Sequence, residues 1–322
     1  MSKLFEVTIE LTQRCPNECI YCSSLSCIDA EETLSYDTVC QIVDDAVLLG
    51  AKQINLSGGE PFLRDDITAI VDYVHAKGLS VRLYSSGIYY AEKYQAIPDE
   101  LLRPIVGKVD YLIINYESSD PDIYANIMGT NSQNLKQVNE SIRKAVGFGI
   151  NVEAHIVPMK CNFKQIPDTL KNLYAMGVSN VSLLRLVPQG RVENHKEMVI
   201  LSEDEQKELK NIALSMSELY GDKLRLGKPF RTGTYTSCKT GTVRLAVRYD
   251  GFVFPCGAFK DGMMEFMNCH PDNVKEKRLL DIYESSDYVI KVRDELAKYY
   301  EDEVTEPCFG QWCRNLKDNI KA

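Results

Sequence analysis

No apolar run in this chain approaches the roughly 18–20 residues that a membrane span requires. Residues 1–11 also carry neither a basic n-region nor an apolar h-region. Together these gaps predict a chain that stays in the cytoplasm. A Lys/Arg-rich block is missing too: the formal net charge is −9 and the pI is near 5.2. Duplex nucleic acid demands a basic face, so general nucleic-acid binding is not expected. No internal repeat or low-complexity segment stands out, which sets repeat architectures aside. What is present is 322 residues, 44% of them hydrophobic and 26% charged. That is enough to bury a large core, as one large α/β domain or a large one with a smaller companion.

Cysteine is abundant, eleven in all, an odd number in a chain without a secretory signal. A disulfide scaffold suits short secreted chains, whereas cysteines crowded into short motifs of a cytosolic chain are more often metal ligands or catalysts. Here they crowd at residues 15–27 and again from 238 onward.

From residue 5 to about 185, short apolar runs ("FEVTIEL", "QINLS", "VRLYSS", "YLIIN", "NVEAHIV", "VSLLRLV") alternate with amphipathic stretches, several ending in Gly. Strand-then-helix repetition predicts parallel βαβ units, with right-handed crossovers building either an open doubly wound sheet or an incomplete barrel. Periodicity does not choose between these. A helix is expected near 203–219, a β-hairpin in "GTVRLAVRYDGFVFPC" turning at Asp250-Gly251, and helices near 277–285 and 287–300. The change of pattern places a boundary near 222, giving domains 1–222 and 223–322.

Just past the first strand stands "LTQRCPNECIYC", with Cys15, Cys19 and Cys22 at spacings of four and three. Structural zinc wants four ligands, the fourth being Cys27 or a residue from elsewhere in the fold. An iron–sulfur cluster held by three thiolates leaves one iron open for a substrate or cofactor.

"CPNECIYC", the C-x3-C-x2-C signature with Tyr21 before the last Cys, resembles the radical S-adenosylmethionine (radical SAM) enzymes. The resemblance implies that the three Cys bind a 4Fe–4S cluster whose open iron is chelated by SAM. Reductive cleavage would then yield a 5′-deoxyadenosyl radical that abstracts a substrate hydrogen. "NLSGGEPFLRDD" matches the family's GGEP segment at Gly58, Gly59, Glu60 and Pro61, where Gly permits close backbone approach and Glu can pair with the methionyl ammonium. "YSSG" resembles the family's Thr-Asn-Gly step and nominates Ser85 and Ser86 for SAM contacts. "INYES" nominates Asn115 and Glu117, with Asn a departure from the family's Ser, and "LLRLVPQGR" nominates Arg185 at the adenine edge. Ordinary loop polarity is the bland alternative for Ser85, Ser86, Asn115 and Arg185. The likeness covers residues 5 to about 190 and implies a partial (β/α)6 TIM-like barrel.

Cys238 and Cys256 form a C-x12-G-x4-C pattern that resembles the opening of SPASM and twitch auxiliary-cluster domains. With Cys308 and Cys313 of "CFGQWC" they supply ligands for one further 4Fe–4S cluster, so the smaller α+β twitch domain is the better match. The C-x4-C spacing departs from the expected C-x2-C, and Cys269 is an alternative ligand. A zinc ribbon is the rival, since four Cys around a hairpin also suit tetrahedral zinc.

Cys40 reads as a small core residue in a helix. Cys161, after strand five, is either plain loop or a hydrogen-atom donor to a substrate radical, as in epimerases of this superfamily; Cys27 is similarly ambiguous. His75 reads as structural, His155 as lumen-facing or core, and Trp312 as cluster shield or packing.

The whole resembles a two-cluster radical SAM enzyme that uses SAM and an external electron donor such as flavodoxin or ferredoxin. Peptide or protein modification (cross-link, epimerisation or oxidation) is the first substrate reading. Against it, the motif begins at residue 15, which leaves no room for an N-terminal leader-binding domain. A sugar, aminocyclitol or nucleotide is therefore the alternative. Similarity to the molybdenum-cofactor cyclase lies in mid-chain, but that enzyme's C-terminal cysteine arrangement and glycine pair are absent, which disfavours the assignment. A zinc-binding scaffold without redox chemistry is the non-enzyme rival.

Overall fold

Strand register, more than strand number, decides what this fold does. The computed structural model describes residues 4–227, 230, 238–260, 269–301, 308–310 and 313. The strands are β1 (Glu6–Glu10), β2 (Gln53–Ser57), β3 (Ser80–Ser85), β4 (Ile88–Tyr90), β5 (Tyr94–Ala96), β6 (Tyr111–Asn115), β7 (Val152–Ile156), β8 (Asn180–Leu183), β9 (Leu224–Leu226), β10 (Arg244–Val247) and β11 (Val253–Phe254). Helices α1 (Tyr36–Leu48), α2 (Ile67–Ala76), α3 (Asp99–Leu102), α4 (Pro121–Met128), α5 (Asn134–Gly147), α6 (Ile166–Ala175), α7 (Lys196–Val199) and α8 (Glu203–Tyr220) lie between β1 and β9, and α9 (Leu279–Ser285) and α10 (Asp287–Glu301) come last.

Nine strands form one sheet in the order β11-β10-β1-β2-β3-β6-β7-β8-β9, while β4 and β5 make a separate hairpin. All neighbours in the large sheet are parallel except β10 and β11. From β1 to β9 the order follows the sequence without reversal, so the sheet is singly wound, as in an incomplete barrel.

Paired residues share a face. Thr8 opposes Asn55, Asn55 opposes Arg82, Tyr84 opposes Ile113, Asn115 opposes His155, His155 opposes Ser182 and Ser182 opposes Arg225. That face is mostly polar. The alternate residues, among them Val7, Ile9, Ile54, Leu56, Val81, Leu83, Ile114, Ala154 and Val181, are apolar and fully buried. They form one core with Val39, Val43, Ile70, Val74, Val138, Ile142, Leu170 and Leu173 from α1, α2, α5 and α6. A doubly wound sheet would need apolar residues on both faces. One apolar face therefore takes the helices, and the other is left to line a polar lumen.

Local chemistry fixes the helix starts. Ser35 caps α1 by accepting from the Thr38 N–H at 3.1 Å. Ser202 and Glu205 form a reciprocal capping box at α8, with bonds of 3.3 and 2.8 Å. The C-terminal helices are tied back by the buried Asp45 of α1, which pairs with Arg278 just before α9. The expected hairpin is present as β10–β11, and its first strand also lies parallel to β1. A second apolar cluster, with Phe254, Phe259, Tyr288, Val292, Leu296 and Phe309, sits beneath that hairpin. None of the described helices is long and apolar enough to cross a membrane.

Candidate active site

The cysteine loop between β1 and α1 is held from three sides. The Cys15 N–H donates to the Cys27 carbonyl at 2.9 Å, and the Cys22 N–H donates to the Cys19 carbonyl at 3.0 Å. From the C-terminal end of α4, the carbonyls of Met128 and Ile127 accept from Glu18 and Ile20 at 3.1 and 2.9 Å. From beyond β8, the Arg191 N–H donates to the Cys22 carbonyl at 3.1 Å, and its Nη2 to the Ser26 carbonyl at 2.5 Å. Gly190 has φ +65°, and a Cβ there would run into the Cys22 carbonyl, so only glycine brings Arg191 this close.

Within the loop the three sulfurs are close enough to act on one another electrostatically. Burial pushes the Cys15 thiol well up, and Glu60 and Cys22 add to the shift; burial, Cys15 and Cys22 do the same to Cys19. Without a metal Cys15 and Cys19 hold their protons. A coordinated cation reverses that preference, because a thiol on a metal is deprotonated outright.

The GGEP segment lies against the same loop. Gly59 and Glu60 donate their N–H groups to the carbonyls of Thr12 and Arg14 at 2.7 and 2.8 Å. A Cβ on Gly59 would stand 2.6 Å from the Gln13 oxygen and would collide with Arg14, so the approach requires glycine. Glu60 is fully buried. Its Oε1 accepts from the Ser85 hydroxyl at 2.9 Å and the Phe62 N–H at 3.2 Å, and its Oε2 from the Ser86 N–H at 2.6 Å and the Ser86 hydroxyl at 2.5 Å. Burial outweighs these donors and lifts its pKa to about 7. Pro61 follows as the first residue of a short 3-10 turn.

Tyr21 donates to Glu117 Oε1 at 2.7 Å, and Glu117 Oε2 accepts from the Val157 N–H at 2.7 Å. Burial raises the Glu117 carboxyl to about 8. Asn115 sits one strand over from His155 on the polar face. Cys161 follows β7, half-buried, and burial raises its thiol to about 11 with Glu117 contributing, so at neutral pH it is a thiol, the form that carries a hydrogen atom. Deeper in the lumen, Glu153 accepts from His155 at 3.0 Å and Ser182 at 2.6 Å. Burial would raise Glu153, but those bonds bring it down to about 2.

The second cysteine group gathers at the apolar cluster under the hairpin. Cys313 is buried within it, and Cys238, Cys256 and Cys269 pack against it. Burial raises the Cys256 thiol, with Cys238 and Cys308 close enough to add to the shift. Cys313 rises to about 12 through burial and then through Cys308, Glu295, Cys256 and Cys238. Arg185 sends Nη2 to the Cys308 sulfur at 2.7 Å. Trp312 lies outside the described residues. Among those that are described, no three His, Cys, Asp or Glu side chains converge on one point as a single metal ion requires. A cubane cluster spreads its thiolates over several irons instead.

Buried polar atoms without a partner border the first loop. Both side-chain atoms of Asn17 and Oε2 of Glu10 are in this state among the described residues. Such atoms are costly unless something satisfies them, and they fit a bound polar group here.

A family model described as "Radical SAM superfamily" matches residues 9–173. The chain belongs to this superfamily. Its membership implies SAM and one 4Fe–4S cluster. The chain is 23% identical over 272 residues to a "Probable GTP 3′,8-cyclase" of Methanococcus maripaludis, covering 81% of this chain and 87% of that protein. It is 30% identical over 144 residues to a GTP 3′,8-cyclase of Limosilactobacillus fermentum, covering 43% and 41%. Among solved structures, Streptococcus suis SuiB bound to S-adenosylmethionine aligns with TM-score 0.72 at 14% identity, over 91% of this chain and 68% of that one. The anSMEcpe protein with bound AdoMet aligns with TM-score 0.65 at 12% identity, over 89% and 82%.

Sequence reading of this radical SAM chain missed Gly190 and Arg191, which grip the cysteine loop from the far end of the sheet. It also missed the buried ion pair of Glu10 with Lys260 at 2.5 Å, to which Ser24 is hydrogen-bonded. A glycine–arginine pair in a loop signals nothing until the loop's destination is known.

Proposed function

We propose that this chain cleaves SAM reductively and uses the resulting radical to take a hydrogen atom from a substrate. The observation that carries the reading is the tie between the GGEP backbone and the cysteine loop. Gly59 and Glu60 donate to the carbonyls of Thr12 and Arg14 just before Cys15, and the buried Glu60 is close enough to act on the Cys15 thiol. SAM on a three-thiolate 4Fe–4S cluster supplies, after one-electron reduction, a 5′-deoxyadenosyl radical. Glu60 would bind the methionyl ammonium, with Ser85 and Ser86 orienting its carboxylate through the bonds described. Gly58, Gly59 and Pro61 shape the strand end that holds it. Tyr21 and Glu117 would fix the cysteine loop against β6 and β7, and Asn115 would face the nucleoside from the polar side. Cys161 would return a hydrogen atom if the product is an epimer. An external one-electron donor, such as a flavodoxin or ferredoxin, is required by this chemistry.

Cys238, Cys256, Cys308 and Cys313 would hold an auxiliary 4Fe–4S cluster, supported by their mutual proximity in the second apolar cluster, with Cys269 at its edge. Residues 1–222 carry the first thiol group and 223–322 the second, which supports dividing the chain there, although β9 and β10 continue the same sheet.

For the substrate, a peptide or protein is the first reading, supported by the fold likeness to SuiB, a structure of which holds the precursor peptide SuiA. A compact polar molecule is the second reading, favoured by the polar face running from Thr8 to Arg225 and by the similarity to GTP 3′,8-cyclases. The deciding experiment for the enzyme class is anaerobic incubation of the reconstituted protein with SAM and reductant. Release of 5′-deoxyadenosine is expected, and a colourless protein with stoichiometric zinc and no cleavage overturns the reading. Deuterium transfer from labelled candidates into 5′-deoxyadenosine separates the two substrate classes.

A further inference from the structure

One short segment, residues 185–191, reaches both cysteine groups. Arg191 grips the first loop through Cys22 and Ser26. Gln189 donates to the Gly257 carbonyl at 2.6 Å, beside Cys256. Arg185, two residues beyond the end of β8, puts Nη2 on Cys308 Sγ at 2.7 Å. Its Nη1 is buried and has no partner among the described residues. A guanidinium holds its N–H donors in a fixed plane. With one arm on a sulfur, a second buried arm calls for another acceptor beside that sulfur.

We propose that Arg185 is an outer-shell positioning residue of the auxiliary cluster, with one arm on the ligating thiolate of Cys308 and the other on an inorganic sulfide next to it. The inference rests on the auxiliary-cluster reading given above, and it takes Arg185 away from the adenine edge. A cationic donor draws electron density from the sulfurs and stabilises the more negative, reduced cluster. Removing it should make the cluster harder to reduce. Because the same segment carries Arg191, a single stretch of backbone then sets the surroundings of both clusters.

The test uses the full-length protein, reconstituted anaerobically, as wild type, Arg185→Gln and Arg185→Lys. Iron is counted, and each cluster is titrated with redox mediators and followed by EPR. In Arg185→Gln the ratio of reduced to oxidised auxiliary cluster at a fixed potential should fall about tenfold, equivalent to about 59 mV for a one-electron couple. Arg185→Lys, which keeps the charge but not the fork, should fall between the two. The SAM-binding cluster and SAM affinity should not change. About eight irons with an unmoved auxiliary potential overturns the proposal alone. Weakened SAM binding with an unmoved potential also overturns it and returns Arg185 to the adenine edge. About four irons in wild type removes the auxiliary-cluster reading and this inference with it. If Arg185→Gln fails to fold, Arg185→Lys decides by the same shift or its absence.

Discussion

The Tyr21 hydroxyl stands 2.7 Å from Glu117 Oε1, and this bond joins the cysteine loop to the end of β6. Through Val157 the same carboxylate reaches the end of β7. Tyr21→Phe should cost about 1–3 kcal/mol, since it strips a donor from a buried acceptor. Chemical denaturation of the apoprotein measures it, and an unchanged midpoint would show that the bond is idle.

Glu117 also gives a pH signature. Burial raises its folded-state pKa to about 8, from an ordinary value near 4.5. Between those values the folded form holds a proton that the unfolded form has released. Its contribution is therefore fully present below about pH 4.5 and is lost as pH rises through about 8, with a slope of at most about 1.4 kcal/mol per pH unit. Glu117→Gln should flatten this part of the stability profile. A profile with the same slope in wild type and variant would contradict the assignment.

Cys15, Cys19 and Cys22 should each be required for SAM cleavage. Removing one thiolate leaves no arrangement that ligates three irons and keeps one open. The triple Ala variant is expected to release no 5′-deoxyadenosine under reductant. Continued release would move the cluster to other residues.

Glu60→Ala should weaken SAM binding roughly ten- to a hundredfold, the equivalent of a charge-assisted bond contributing about 1.5–3 kcal/mol. Cluster iron should stay. Because Glu60 sits near pKa 7 in the ligand-free protein, wild-type affinity should also fall as pH drops below 7 and the carboxylate is protonated. Calorimetric titration at several pH values checks both effects.

Much of this was legible beforehand because α/β units announce themselves. "YLIIN" and "QINLS" are strands with the residues expected, and the GGEP and cysteine motifs were found together where α/β folds place their sites. The β4–β5 hairpin was not foreseen: its strands have three residues each, too short for a period to show. Nor was the parallel docking of β10 on β1, a contact between residues more than 200 positions apart that no local pattern encodes. The contact of Arg185 with Cys308 spans 123 residues, so no local pattern signals it either.

Cys238, Cys256, Cys308 and Cys313 should account for about half of the bound iron. Their replacement by Ala should spare the first cluster and end substrate turnover, provided circular dichroism shows a folded chain. Retention of all the iron would mean that other groups are the ligands.

The last prediction concerns Lys260 and Glu10, each about nine-tenths buried and 2.5 Å apart. Glu10 closes β1 beside the cysteine loop, whereas Lys260 follows the β10–β11 hairpin, so the pair ties the two cysteine-bearing parts of the chain together. Ser24 shares the bond, accepting from Lys260 at 2.8 Å and donating to Glu10 at 2.9 Å. The pair itself adds little net stability, because desolvating two charges offsets most of their attraction. Breaking it is another matter. Lys260→Met would strand a buried carboxylate, at a cost of about 3–5 kcal/mol. Adding Glu10→Gln removes the stranded charge, so the double variant should recover most of that loss. Denaturation of both single variants and the double variant gives the coupling directly. Simple additivity would show that water already reaches Glu10 and that the junction is open there.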